Sequence, residues 1–202
     1  MNLPDWSDGR ALLTRVVGPA LVLWGGLIGF GFVVAGPLSR PLRDEVDLDQ
    51  YLAAERIHTW NTITLLWSAL GSTEVVIDAS LIIGALTLWR TRDWRLAAVP
   101  AIAILIETVI FLSIASLVDR ERPPVVKLDL APPTSSYPSG HAGASTALYL
   151  AFAFLALHIA RAWLRWTTIF LCLITPLLVA FARLYYVTDV AAGIVDGIVA
   201  VA

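Results

Sequence analysis

The residues best suited to chemistry lie in a polar, proline-rich interval, 119–141, between two long apolar runs. Its last residues, Ser139, Gly140 and His141, stand directly before a predicted apolar helix. Free backbone N–H groups and the helix dipole favour an oxyanion such as phosphate at that end. Glycine permits close approach to the backbone, and histidine, with an ordinary pKa of about 6.5, can donate a proton to a leaving oxygen. The sequence therefore predicts an anion site at this helix start.

Two arginines are candidates to complete such a site. Arg122 is followed by two prolines and carries a planar guanidinium that matches the geometry of phosphate oxygens. Arg183 stands directly after the apolar run 166–182, and Asp189 follows it six positions later. A Ser-Gly-His helix start or an Arg-Pro pair alone is commonplace in any fold. Their combination on one predicted side of the chain is what indicates a phosphate ligand.

The amino-acid composition indicates that the protein is embedded in a membrane. Of the 202 residues, 58% are hydrophobic and 15% are charged, which is too apolar for a soluble domain of this size. The net charge of −2, with no long basic run, gives no footprint for nucleic acid. The single cysteine, Cys172, can form no internal disulfide. A bilayer is the solvent that this composition fits.

The apolar runs predict an all-α, integral membrane bundle of six transmembrane helices, because a spanning helix needs roughly 20 apolar residues. The runs are 12–36, 62–89, 96–118, 142–159, 166–182 and 187–202, the last of them short. They form one predicted domain, 1–202. A Gly-Ser-Thr sequence at 71–73 interrupts the second run and predicts a turn or an entrance there.

Arginine and lysine counts on the two sides of this predicted bundle are equal, so loop length and neighbouring acids decide the orientation. On the side of the termini the arginines lie in short loops with few acids. On the other side, several lie in the longer segment 37–61 among five acidic residues. The expectation is therefore that both termini are cytoplasmic and that the site faces outside the plasma membrane. The segment 37–61 is either an amphipathic surface helix or a solvated loop.

Ionisable groups inside predicted spans are costly and usually face the protein interior, and the cases here are Glu74, Asp78, Glu107 and Asp196. Glu107 is placed by the pattern either beneath the outer site or against a partner on another helix. Asp196 has no evident partner in the sequence.

Three short stretches resemble the three signature motifs of the type 2 phosphatidic acid phosphatase and vanadium haloperoxidase superfamily. They are Arg-Pro at 122–123, Pro-Ser-Gly-His at 138–141, and Arg183 followed by Asp189. The resemblance extends from about Gly71 onward, and six helices with an outer site are similar to its membrane-bound branch. It implies a hydrolase of phospholipid metabolism, a phosphatase that removes a terminal phosphate from a lipid phosphate or isoprenoid diphosphate. It also implies that no metal or cofactor takes part.

The resemblance further implies roles for individual residues. The groups that would hold the phosphoryl oxygens are Arg122, Arg183, Ser139 and the amide of Gly140. His141 would protonate the leaving alkoxide. Asp189 would orient a second histidine, which attacks phosphorus to give a phosphohistidine.

The sequence departs from this pattern at two places. The lysine that opens the first motif is replaced by Ala115, and Arg120 or Lys127 could supply part of its charge. The third motif is shorter: the family places its nucleophilic histidine six positions after the arginine and the aspartate four positions later. Here Asp189 already stands six positions after Arg183, and no histidine follows His158. About four residues, the nucleophile among them, are missing between 185 and 186.

Three other side chains are candidates for the nucleophile. His58 lies in the outer segment, Tyr185 would need a strongly lowered pKa, and His158 lies at the far end of the helix that His141 begins. Two functions therefore stand: a lipid phosphatase, or a non-catalytic relative that binds lipid phosphate as a sensor, scaffold or part of a transporter. A transporter with Glu107 and Asp196 in its path ranks below both.

Overall fold

The computed structural model describes residues 18–38, 51, 58–118, 120, 135–183 and 187–201. These ranges contain seven helices and no strands, which confirms the all-α prediction for the described part of the chain. The helices are α1 Gly18–Ala35, α2 His58–Ala69, α3 Thr73–Thr91, α4 Trp94–Leu117, α5 Gly140–Ala156, α6 Ala162–Ala182 and α7 Val187–Val199. Most of 37–61 and of 119–141, including Arg122 and Lys127, lies outside the described residues.

The long helices are those of a membrane protein. Helices α4 and α6, of 24 and 21 residues, are each long and apolar enough to cross a bilayer. Helices α2 and α3 together form a third candidate span, bent by 50° at the break between them. Helices α1 and α5 are apolar but shorter. Large side chains such as Leu105 and Phe170 are exposed along the outer faces of the bundle, as expected of surfaces that contact lipid.

The break between α2 and α3 is at the Gly-Ser-Thr sequence, so the predicted turn is confirmed. Helix α3 begins after Ser72, whose side chain accepts a hydrogen bond from the backbone N–H of Val75. A Cβ on Gly71 would lie 2.9 Å from the backbone oxygen of His141 and 2.8 Å from a methyl group of Val179. Glycine is therefore required here, because the bend lies directly against the start of α5 and the end of α6.

Helix α5 lies at the centre of the bundle, with α3, α4, α6 and α7 packed around it. Its seam with α7 is made of small residues. A Cβ on Gly193 would lie 2.4 Å from the backbone oxygen of Ser139, and one on Gly197 would lie 2.4 Å from that of Gly143. The two backbones are thus in direct contact, as in small-residue packing of membrane helices. This contact positions the amino end of α5 against the start of α7.

Tyr137, just before α5, holds the connecting segment to α1. Its side chain is completely buried, and its hydroxyl donates a hydrogen bond of 2.7 Å to the backbone oxygen of Leu27. Gly31 of α1 makes room for the ring, because a Cβ there would lie 2.6 Å from a ring carbon. A second tie joins α1 to α4 through the indole N–H of Trp24, which donates to the hydroxyl of Ser113 at 2.8 Å.

Candidate active site at the amino end of α5

The amino end of α5 is the base of the site. Ser139 caps the helix in an extended conformation, and its hydroxyl makes no capping hydrogen bond within the described part of the chain. Its backbone N–H donates to the backbone oxygen of Asp189 at 3.0 Å, so that amide is occupied by the protein itself. The groups that this helix end can offer an anion are the Ser139 hydroxyl and the first-turn amides that begin at Gly140.

His141 and Arg183 meet at this helix end. A guanidinium nitrogen of Arg183 lies 3.2 Å from Nδ1 of His141. Arginine has only donors, so Nδ1 accepts this hydrogen bond and the proton of the neutral imidazole is on Nε2. Arg183 caps α6, where its backbone N–H donates to the carbonyl of Val179 at 3.0 Å. Two residues far apart in the sequence are therefore brought together by the junction of α5 and α6.

Asp189 forms an ion pair with Arg120, an arginine that is not part of the three motifs. The guanidinium of Arg120 donates to the Asp189 carboxylate and to the hydroxyl of Thr188, the latter at 2.9 Å. Both members of the ion pair are buried. The backbone of Arg120 is held in turn by Ser135 and Ser136, just before α5. The only sequence signal for this role was that Arg120 could replace the charge lost at Ala115.

The charges of Arg120 and Asp189 also act on the hydroxyl of Tyr137. Burial, followed by the negative charges of Asp189 and Asp196, raises the pKa of its hydroxyl above the usual range, although Arg120 opposes this. The phenol therefore stays protonated at neutral pH and continues to donate to the backbone of Leu27.

A cleft of about 960 Å³ opens beside His141. It lies between the α2–α3 bend, α4 and the first turn of α5. Its apolar lining includes Leu65, Val76, Ile77, Ile104 and Phe111. Its polar lining includes Ser68, Ser72, Glu107, Thr108 and His141. An elongated apolar molecule with a polar end fits this division of the walls.

The other histidines are not part of this arrangement. His58 is exposed at the first residue of α2, a helix of 12 residues and so about 18 Å long, whose opposite end leads to the bend that contacts His141. His158 is exposed beyond the far end of α5, about 25 Å from the site at helical rise. Tyr185 and Arg122 lie outside the described residues. Within the described ranges, no cluster of three or more acidic, histidine or cysteine side chains forms a metal site.

The fold and this site define an integral membrane, all-helical protein with a histidine and an arginine paired at the amino end of a central helix. The chain belongs to the PAP2 superfamily, whose family model matches residues 92–202, more than half of the chain. This confirms the family predicted from the three motifs.

Two solved structures share the fold. The first is a transmembrane PAP2-type phosphatidylglycerolphosphate phosphatase from Bacillus subtilis, with a TM-score of 0.76 and 19% identity over 88% of this chain and 92% of that one. The second is LpxE from Aquifex aeolicus, with a TM-score of 0.53 and 19% identity over 76% of this chain and 92% of that one. No curated protein sequence matches the chain significantly.

Proposed function

We propose that this protein is a lipid-phosphate phosphatase of the plasma membrane, a single domain of six spans with both termini in the cytoplasm and its site at the extracytoplasmic end. The observation that carries the proposal is the contact between His141 and Arg183 at the amino end of α5, beside a cleft with apolar walls. A phosphate at this helix end would leave its lipid tail in the cleft. Membership of the PAP2 superfamily supports the same reading.

Each site residue then has a definite task. Arg183, the hydroxyl of Ser139 and the amide of Gly140 hold the phosphoryl oxygens, and Arg122 adds a second guanidinium. As the bond between phosphorus and the leaving oxygen breaks, His141 in its imidazolium form passes its Nε2 proton to that oxygen, which departs as an alcohol and leaves the ring as a neutral imidazole. When Arg183 turns from Nδ1 to the phosphoryl oxygens, Nδ1 is released to take up the second proton that makes the ring an imidazolium.

The attacking group limits the expected rate. A phosphohistidine route needs a second histidine, and the sequence contains only His58, His141 and His158. The first and last of these are distant from the site in the described fold. We therefore expect little or no turnover from this exact sequence, and recovery when a loop with a histidine is restored between 185 and 186.

A second candidate function is binding of lipid phosphate without turnover, as in a sensor, a scaffold or a part of a transporter. The buried pair of Arg120 with Asp189 favours it. In the family scheme this aspartate orients the nucleophile, whereas here its carboxylate is neutralised by an arginine. The groups proposed to hold the phosphate, Arg183 and the Ser139 end of α5, are all present, so we expect binding where catalysis is lost.

The test compares binding with turnover in the full chain purified in detergent. Phosphatidic acid, phosphatidylglycerol phosphate and an isoprenoid diphosphate are each assayed for binding and for release of inorganic phosphate in the presence of EDTA. Binding that is lost in Arg183→Ala but kept in Arg161→Ala supports a lipid-phosphate protein, and phosphate release then separates enzyme from binder. Binding unaffected by Arg183→Ala and by His141→Ala would refute both functions.

A further inference from the structure

Glu107 is a buried carboxyl group in the wall of the cleft. It lies on α4, is 2% exposed and lines the cleft together with His141. Its Oε2 accepts a long hydrogen bond of 3.4 Å from the hydroxyl of Thr108. Its Oε1 has no hydrogen-bond partner among the described residues. The carboxyl group fits only because Gly143 has no side chain, since a Cβ there would lie 2.6 Å from Oε1.

The charges around Glu107 are mainly negative. On α7, Asp196 is completely buried, and neither of its carboxylate oxygens has a hydrogen-bond partner in the described ranges. It lies within electrostatic range of Glu107. The other ionisable groups that face the cleft are His141 on α5 and Glu74 on α3. Neither Glu107 nor Asp196 forms an ion pair within the described part of the chain.

Two neighbouring carboxyl groups in a low-dielectric core, without a paired cation, do not both ionise. At least one of the two therefore holds a proton, and Glu107 is the member of the pair that lines the cleft. With the proton on Glu107, its carboxyl group is a hydrogen-bond donor in the wall of the cleft.

The depth of Glu107 in the bundle indicates what it would meet. Gly140 contacts Phe111 and Gly143 contacts Glu107, so the carboxyl group lies about one helical turn, or 5 Å, below the amino end of α5. A lipid whose phosphate occupies that helix end brings the next few bonds of its backbone to this level. In an acylated glycerol phosphate these bonds include ester carbonyls, which are good acceptors. In an isoprenoid phosphate they are hydrocarbon.

We infer that Glu107 is a specificity-determining residue, which donates a hydrogen bond to an ester carbonyl of the bound lipid and so selects acylated glycerol phosphates over isoprenoid phosphates. The inference rests on the proposed binding of a lipid phosphate at His141 and Arg183. It goes beyond that proposal, which leaves the lipid class open. Burial favours the protonated form of Glu107, and Asp196 adds to this as a positioning residue.

The test measures binding of three ligands to the full chain in detergent: a diacyl glycerol phosphate, its dialkyl ether analogue of equal chain length, and an isoprenoid monophosphate. One well-placed neutral hydrogen bond corresponds to a preference of roughly three- to tenfold for the diacyl lipid. Glu107→Gln keeps a donor and should keep most of this preference. Glu107→Met has a similar volume without a donor and should abolish it, while affinity for the ether and isoprenoid ligands stays within about twofold.

Ile104→Val is the matched control, because it trims the same wall of the cleft without changing a polar group. It should shift all three affinities together. A diacyl preference that persists in Glu107→Met, or that is absent from the wild-type protein, overturns the inference while leaving the proposed function standing. Failure of all three ligands to bind overturns the proposed function, and the inference with it. If Glu107→Met does not fold, Glu107→Leu, which also lacks a donor, is measured in its place: loss of the preference supports the inference and retention opposes it.

Discussion

Arg120 and Asp189, 69 positions apart in the sequence, form a buried ion pair that joins the segment before α5 to the first turn of α7. The same arginine donates to Thr188, and the backbone oxygen of Asp189 accepts from Ser139. This one aspartate therefore holds both the arginine and the capping residue of the central helix. Its position makes it a structural support of the amino end of α5.

Replacing Asp189 with asparagine should destabilise the protein strongly, by about 3–5 kcal/mol, because it leaves a buried guanidinium without its counter-charge. The double variant Arg120→Met with Asp189→Asn should recover much of that loss, since the charge is then removed as well. Thermal unfolding in detergent measures both. Asp93→Asn, at an exposed helix cap, is the control. Equal unfolding temperatures for Asp189→Asn and the control would contradict the pair's structural role.

Arg183→Ala should weaken binding of lipid phosphate by roughly 10- to 100-fold, as expected for loss of a charge-assisted hydrogen bond. Arg183→Lys should recover only part of it, because an ammonium group cannot reproduce the planar fork. Competition between inorganic phosphate and a fluorescent lipid phosphate provides the measurement. Arg161→Ala lies at the opposite end of the bundle and should bind as the wild type does.

Much of this arrangement is predictable from the sequence, and the remainder is not, for physical reasons. Apolar run length predicts the long apolar helices α4 and α6, and the turn at 71–73 follows from Gly-Ser-Thr, because these signals are local. The pairing of His141 with Arg183 follows from the motif resemblance. The role of Arg120 is not encoded locally: it depends on how the segment before α5 meets α7. The depth of Glu107 likewise depends on which face of α4 meets Gly143, and a uniformly apolar helix gives no periodicity from which to read that face.

The glycine seam between α5 and α7 gives a sharp packing test. Gly197→Ala would place a methyl group 2.4 Å from a backbone oxygen, so the helices must separate and unfolding should occur at a markedly lower temperature. Gly25→Ala is the matched control, because nothing lies within 4 Å of its Cβ position. It should be neutral or slightly stabilising, since alanine favours a helix by up to about 1 kcal/mol over glycine. Similar effects for both variants would mean that α5 and α7 do not touch as described.

The raised pKa of Tyr137 predicts the alkaline limit of stability. The folded protein keeps this proton where the unfolded chain releases it, above about pH 10. The stabilisation of the fold by the protonated Tyr137 phenol is therefore complete below that pH. It is lost as the pH rises toward the pKa of Tyr137 in the folded protein. Tyr137→Phe should cost about 1 kcal/mol at neutral pH, through loss of the bond to Leu27, and should flatten the alkaline decline. Tyr51→Phe, at an exposed position, controls for removal of a phenol. A parallel decline in Tyr137→Phe and wild type would contradict this.

Insertion of four residues that include a histidine between 185 and 186 should convert binding into turnover. The inserted side chain would supply the missing nucleophile, and release of inorganic phosphate should rise above the wild-type level by at least tenfold, which is about 1.4 kcal/mol in the barrier. The same insertion with alanine in place of histidine is the control. Equal rates for the two insertions would show that loop length, and not the imidazole, governs the reaction.

The close approach of Gly71 to His141 ties the α2–α3 bend to the start of α5. The bend, α4 and the first turn of α5 together line the cleft. A Cβ on Gly71 would lie 2.9 Å from the backbone oxygen of His141, so the bend has no room to move toward α5 without displacing that residue. The shape of the cleft and the position of the His141 backbone are therefore set by the same contact.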